Sequence, residues 1–209
     1  VLFRSTYTVG GTGFDQGQTV HQTIDGGYII GGSTLSNDGD VITNHGNYDY
    51  WMVRFDQNFF YTWQKSLGGT GDDEAFSFEL TSDGGLIVTG ESQSNDGDVS
   101  GNHGNYDFWT VKLDNTGTTQ WTKSMGSNAV DQAMDIKQTS DGGFILAGYS
   151  QTNDGDVAGN HGGWDYWAVK LAPSAGLNEQ NYDAISVYPN PVTSDLFLTV
   201  DDSNIGTEY

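Results

Sequence analysis

Hydrophobic and polar residues alternate along short stretches of this chain, and the stretches recur. Near Ala75–Thr81, Phe76, Phe78 and Leu80 alternate with Ser77 and Glu79, the period of two expected of a strand with one buried face. Leu86–Ser92 is apolar on both faces, as a central strand would be. In Asp107–Asp114, Trp109, Val111 and Leu113 share one face, and Phe108, Thr110 and Lys112 the other. Ser82-Asp83-Gly84-Gly85 reads as the turn between the first two strands, and Asn115-Thr116-Gly117 as a hairpin into a fourth strand near Thr118–Ser124. A long polar loop, Asn95–Tyr106, precedes the third strand, and no segment has a convincing helical period.

This four-strand pattern is one copy of a tandem repeat. Asp25-Gly26-Gly27, Asp83-Gly84-Gly85 and Asp141-Gly142-Gly143 are spaced by 58 residues. Asn-Asp-Gly-Asp-Val at 37–41, Asn-His-Gly at 44–46 and the Tyr48-Asp49-Tyr50-Trp51 run recur at the same spacing. Leu67–Asp114 laid on Met125–Ala172 without gaps gives 26 identities in 48 positions, which only duplication explains. Four short strands per repeat predict an all-β chain of tandem four-stranded antiparallel blades, a partial β-propeller of about three blades. A β-solenoid or a row of small sheets is the alternative. The repeats are placed at 6–66, 67–124 and 125–172. Three blades do not close a propeller, which leaves open flanks with exposed edges. The hairpin Leu113–Trp121 resembles the Asp…Gly…Trp hairpins of quinoprotein-like and Asp-box propellers. Its spacing matches neither motif, so the resemblance bears on architecture alone.

Composition narrows the partners. The 209 residues carry 28 Asp+Glu against 7 Lys+Arg, a net charge of −21. That surface disfavours nucleic acid and anionic lipid and suits cations. There is no Cys, so thiolate chemistry and Cys-ligated zinc are excluded. No apolar run is long enough for a transmembrane helix.

The two ends differ from the repeats. Val1-Leu2-Phe3-Arg4-Ser5 resembles the translated end of a short-read sequencing adapter, so residues 1–5 are read as artefact and set aside. On that reading the true N-terminus is missing, and the lack of a signal peptide is uninformative. Residues 173–184 form a polar linker. At 185–209, Tyr188-Pro189-Asn190-Pro191 precedes alternating Leu196, Leu198 and Val200. This resembles the start of the type IX secretion C-terminal sorting domain of Bacteroidota proteins, here a short truncated β tail. The 58-residue units are also similar to repeats of large secreted proteins that carry that signal. The resemblance implies recognition of the tail by type IX secretion machinery, export across the outer membrane, and release or attachment at the cell surface.

The long loop carries the clearest chemistry. Counted from Asp96, acids fall at loop positions 1, 3 and 12, with Gly101 at position 6. That is close to the spacing of a calcium loop, in which hard oxygens wrap an ion. The candidate metal residues are Asp96, Asp98, Asn102 and Asp107; Asp154, Asp156, Asn160 and Asp165; and Asp38, Asp40, Asn44 and Asp49. Position 5 varies (Ile42, Ser100, Ala158), and Thr43 replaces the position-6 glycine in the first loop. Position 12 is Asp, and no helix flanks the loop, so this is not an EF-hand. A turn-rich connection without an ion is the alternative. His45, His103 and His161 share one position; they read as pinning the loop by hydrogen bonds, with transition-metal ligation as the alternative. Trp51, Trp109 and Trp167 read as blade core, and Tyr50, Phe108 and Tyr166 as packing between blades. Tyr48, Tyr106 and Trp164 are candidate ligand-binding rings that could stack on sugars.

Two functions fit. The first is a secreted or surface-displayed binding and scaffolding module, adhesin-like and not itself an enzyme, with calcium as its cofactor and an extracellular glycan or protein as its ligand. The second is the propeller part of a secreted glycoside hydrolase, which would use paired carboxylates. Asp72-Asp73-Glu74 is the nearest acidic candidate, but it aligns with Phe14-Asp15-Gln16 and Val130-Asp131-Gln132 and reads as a solvated turn. A quinone-dependent dehydrogenase would need a closed propeller.

Overall fold

The computed structural model describes residues 6–173. The proposed sorting-domain tail and residues 1–5 lie outside the described residues. Within them the chain is all-β. The first sheet holds β1 (Asp15–Gln22), β2 (Tyr28–Thr34), β3 (Asp49–Phe55) and β4 (Tyr61–Leu67). The second holds β5 (Asp73–Leu80), β6 (Leu86–Ser92), β7 (Asp107–Leu113) and β8 (Thr119–Met125). The third holds β9 (Asp131–Gln138), β10 (Phe144–Ser150) and β11 (Asp165–Leu171). Each is an antiparallel meander, so strand order in space follows order in sequence. These are the blades the repeat predicts, and they do not close into a ring. The third blade differs from expectation: among the described residues it has three strands, with no counterpart of β4 and β8.

The strand period explains how one sheet serves two neighbours. In the second blade, Leu86, Val88, Trp109, Val111 and Leu113 face the first sheet, where Ile29, Tyr50, Met52 and Leu67 meet them. Ile87 and Phe108 face the third sheet and pack on Ile136, Phe144 and Leu146, with Trp121 and Trp167 beside them. Every residue of β6 and β7 is buried. The ring of Tyr50 lies 4.6 Å from that of Trp109, and Phe108 lies 4.5 Å from Trp167. The expected roles of these aromatics therefore hold: Trp is core, and the preceding ring reaches the next blade. Tyr50 also donates its hydroxyl to the Trp109 carbonyl at 2.9 Å. Tyr166, the third copy, is fully exposed, because no described strand covers that flank.

Two local devices recur in each blade. The Asp-Gly-Gly turn folds back on itself: Thr81 Oγ1 and the Gly85 N–H donate to Asp83, and Gly84 turns through a φ of 83° that favours glycine. A cation from the third strand then clasps the turn, as Arg54 on Asp25, Lys112 on Asp83 and Lys170 on Asp141. The first strand carries a β-bulge, between Ala75 and Ser77 in β5. The bulge breaks the simple Phe76/Phe78/Leu80 alternation, leaving Phe78 buried and Phe76 half-buried.

Candidate functional site

The acidic loops join the second and third strands of each blade and sit at equivalent places. The valine of each loop (Val41, Val99, Val157) is buried and anchors it. Gly101 and Gly159, at loop position 6, have φ of 78° and 83°, which the threonine of the first loop does not match. The asparagines close the loops. Asn102 Nδ2 donates to the Ser92 carbonyl at 2.8 Å, and its Oδ1 accepts from the Gly104 N–H. Asn44 and Asn160 do the same with Thr34 and Gly46, and with Ser150 and Gly162.

The acids at positions 1 and 3 reach a segment that enters the blade about thirty residues earlier. Asp96 accepts from the Thr70 N–H at 2.8 Å and its hydroxyl at 2.9 Å. Asp38 meets Thr12 in the same way, and Asp154 accepts from the Asn128 N–H. Asp40, Asp98 and Asp156 accept from the N–H of Gly10, Gly68 and Gly126. These donors favour the charged carboxylates: the Thr70 and Thr12 N–H groups hold Asp96 and Asp38 below the usual range.

The acid at position 12 turns elsewhere. Asp49 Oδ2 accepts from the His45 N–H at 3.0 Å, its ring Nδ1 at 2.6 Å and the Ser66 hydroxyl. Asp107 and His103 repeat this at 3.0 and 2.7 Å. The histidine thus pins the loop, as its neighbours suggest. Burial pushes Asp49 and Asp107 above the ordinary carboxylate range despite these bonds. Asp165, which no other described blade covers, is instead lowered by the His161 N–H. Positions 1 and 3 therefore do not meet position 12. Among the described residues no three His, Asp or Glu side chains gather into a group that could hold a metal ion.

Near position 12 lies an acid that the sequence reads as part of a solvated turn. Asp73 and Asp131 open β5 and β9 and are wholly buried. Asp73 is therefore no part of a solvated turn, and this corrects the reading of Asp72-Asp73-Glu74. Asp73 accepts from the Gly69 N–H at 2.7 Å and the Ser94 hydroxyl at 2.8 Å. Asp131 accepts from the Ser127 N–H and hydroxyl, each at 2.7 Å. Burial, with a smaller push from Asp49, raises Asp73. Its recurrence as Asp15, Asp73 and Asp131 was the available signal.

The candidate aromatic residues are less open than their loop position suggests. Tyr48 and Tyr106 are half-buried, while Trp164 is 55 % exposed beside Tyr149, at 5.0 Å. The Tyr106 hydroxyl bonds Asp72 at 3.2 Å, and burial followed by that carboxylate pushes it up to about 12. Asp72, Glu74 and Glu91 occur in the second repeat alone. Glu74 and Glu91 are cross-strand partners. Burial, then Glu74 and Asp72 against the opposing Gln132 amide, brings Glu91 up to about 7.

Searches of protein-family models and of curated proteins find no match to this chain.

Proposed function

We propose that this chain is an extracellular binding and scaffolding module, exported by the route its tail resembles and stiffened by calcium. One observation carries the reading: the same acidic loop is presented three times, anchored by the same bonds. A surface repeated blade by blade suits multivalent attachment better than a single catalytic centre. The reachable ring of Trp164 and the rings of Tyr48 and Tyr106 would stack on a glycan beside those loops. The test is binding of the full chain to a glycan array in calcium and in EDTA. Calcium-dependent binding that Trp164→Ala weakens several-fold supports the reading. Absence of binding in both buffers argues against a glycan ligand.

A second reading, the propeller part of a polysaccharide-degrading enzyme, has one observation in its favour. The Asp72, Glu74 and Glu91 cluster is unique to one blade, and an acid near 7 suits general acid catalysis. Turnover of a polysaccharide that disappears in Glu91→Gln would favour this reading over scaffolding.

A further inference from the structure

We propose that two copies of this chain associate head to tail, the third blade of each packing on the first blade of the other to close one ring of six blades. The junctions inside the chain supply the pattern. At both, the same repeat positions of one blade meet the same positions of the next, with Ile29 and Tyr50, then Ile87 and Phe108, on the trailing side. None of these four side chains is more than 4 % exposed. Their counterparts on the third blade, Ile145 and Tyr166, are 36 % and 101 % exposed. On the leading side Phe78 and Ile136 are buried, whereas their counterpart on the first blade, Val20, is 61 % exposed. Val20 lies in a groove of about 830 Å³ shared with Gly17, Tyr28, Ile30 and Phe59. One chain thus carries both halves of a junction that it makes twice internally, and each half is bare among the described residues.

The backbone is complementary as well. β3 and β7 each pair with a fourth strand, but among the described residues β11 pairs with β10 alone and leaves one edge bare, a ready template for another chain. Residues 177–183, one repeat beyond β8, match it at no position. The opposite end holds what that edge lacks. Val9, the counterpart of Leu67 and Met125, lies outside any strand and packs on the cluster of Trp51, Val53 and Phe55. Tyr7 meets Phe55 edge-on at 5.4 Å. The Gly10 carbonyl accepts from the Asp40 N–H, as Gly68 and Gly126 accept from Asp98 and Asp156. The segment therefore already stands where the last strand of a preceding blade would end. In the pair it adds to the β11 edge of the other copy in the register of the first two blades, Val9 beside Tyr166 and Thr8 beside Trp167. The bonds from the Asp73 and Asp131 N–H groups to the Tyr48 and Tyr106 carbonyls gain a third member, from Asp15 of one copy to Trp164 of the other. Such a contact joins two different faces, so it grows until the ring closes. Two copies bring six blades, inside the range of about four to eight that closes, and three copies exceed it.

The pairing depends neither on calcium nor on a glycan. Light scattering of the full chain over a dilution series should read the mass of two chains when concentrated. Tyr166→Asp and Val20→Asp, both at side chains open in the single chain, should each weaken the pair about tenfold or more and keep the wild-type circular dichroism. Mixed in equal amounts, the two variants should associate more tightly than either alone, because one junction of the mixed pair is intact. Ile42→Asp should leave association unchanged, since its counterpart Ser100 stays exposed between two blades. A single chain at every concentration, a polymer of more than two chains, or variants that do not restore one another on mixing would overturn the proposal.

Discussion

Replacing Phe108 by alanine removes a ring wholly buried between the second and third sheets. The same change at Tyr166, one repeat later, removes a ring that is fully exposed. The two positions are repeat equivalents on β7 and β11, each between an Asp and a Trp, so the covering blade is the main difference. Truncating a buried aromatic costs about 3–5 kcal/mol through lost transfer energy and the cavity left behind. A surface change away from packing stays within about 0.5 kcal/mol. For a chain of this size 1 kcal/mol moves the midpoint by about 2–4 °C, so Phe108→Ala should lower it by about 6–20 °C. Tyr166→Ala should leave it within about 2 °C. Differential scanning calorimetry of the full chain, diluted to the monomer, reads both. Equal losses would refute the open third flank, because they would mean that Tyr166 is covered as Phe108 is.

Two further outcomes follow from the packing. Gly90→Ala should cost about 3 kcal/mol or more, since its Cβ would lie 1.9 Å from the Glu74 carbonyl at the β5 bulge and the obstacle is backbone; a urea midpoint unchanged from wild type would contradict this. Glu91 should make stability pH-dependent: its folded pKa of about 7 lies above the ordinary 4.5, so the folded state binds the extra proton between them. Its contribution is present below about 4.5 and is lost as pH rises through 7, on the order of 3 kcal/mol in all. Glu91→Gln should flatten that part of the urea midpoint profile, and parallel profiles would refute the assignment.

The blades were legible because their signals are local. Trp109, Val111 and Leu113 share a face at period two, and the Asp-Gly-Gly turns mark the strand ends in every copy. The destination of the loop acids was not legible. Spacing places Asp96, Asp98 and Asp107 on one loop, but it cannot show that the first two oxygens turn to Thr70 and Gly68 while the third faces another blade. Asp73 was misread for a similar reason: its neighbours Asp72 and Glu74 look solvated, and burial by an adjacent blade is a tertiary fact. Glu91 sits inside a strand that reads as apolar on both faces, so only its neighbours Glu74, Asp72 and Gln132 make it unusual. That the last blade has three strands among the described residues has no local signal before Leu171.

Thermal unfolding of the full chain in EDTA, in excess calcium and in a magnesium control bears most directly on the claim that calcium stiffens the blade stack. An ion held only by the folded state at 100 times its Kd adds about 2.7 kcal/mol per site. Each site should therefore raise the midpoint by about 5–11 °C in calcium, an increase that magnesium should not reproduce. An identical midpoint in EDTA and in millimolar calcium would contradict the account.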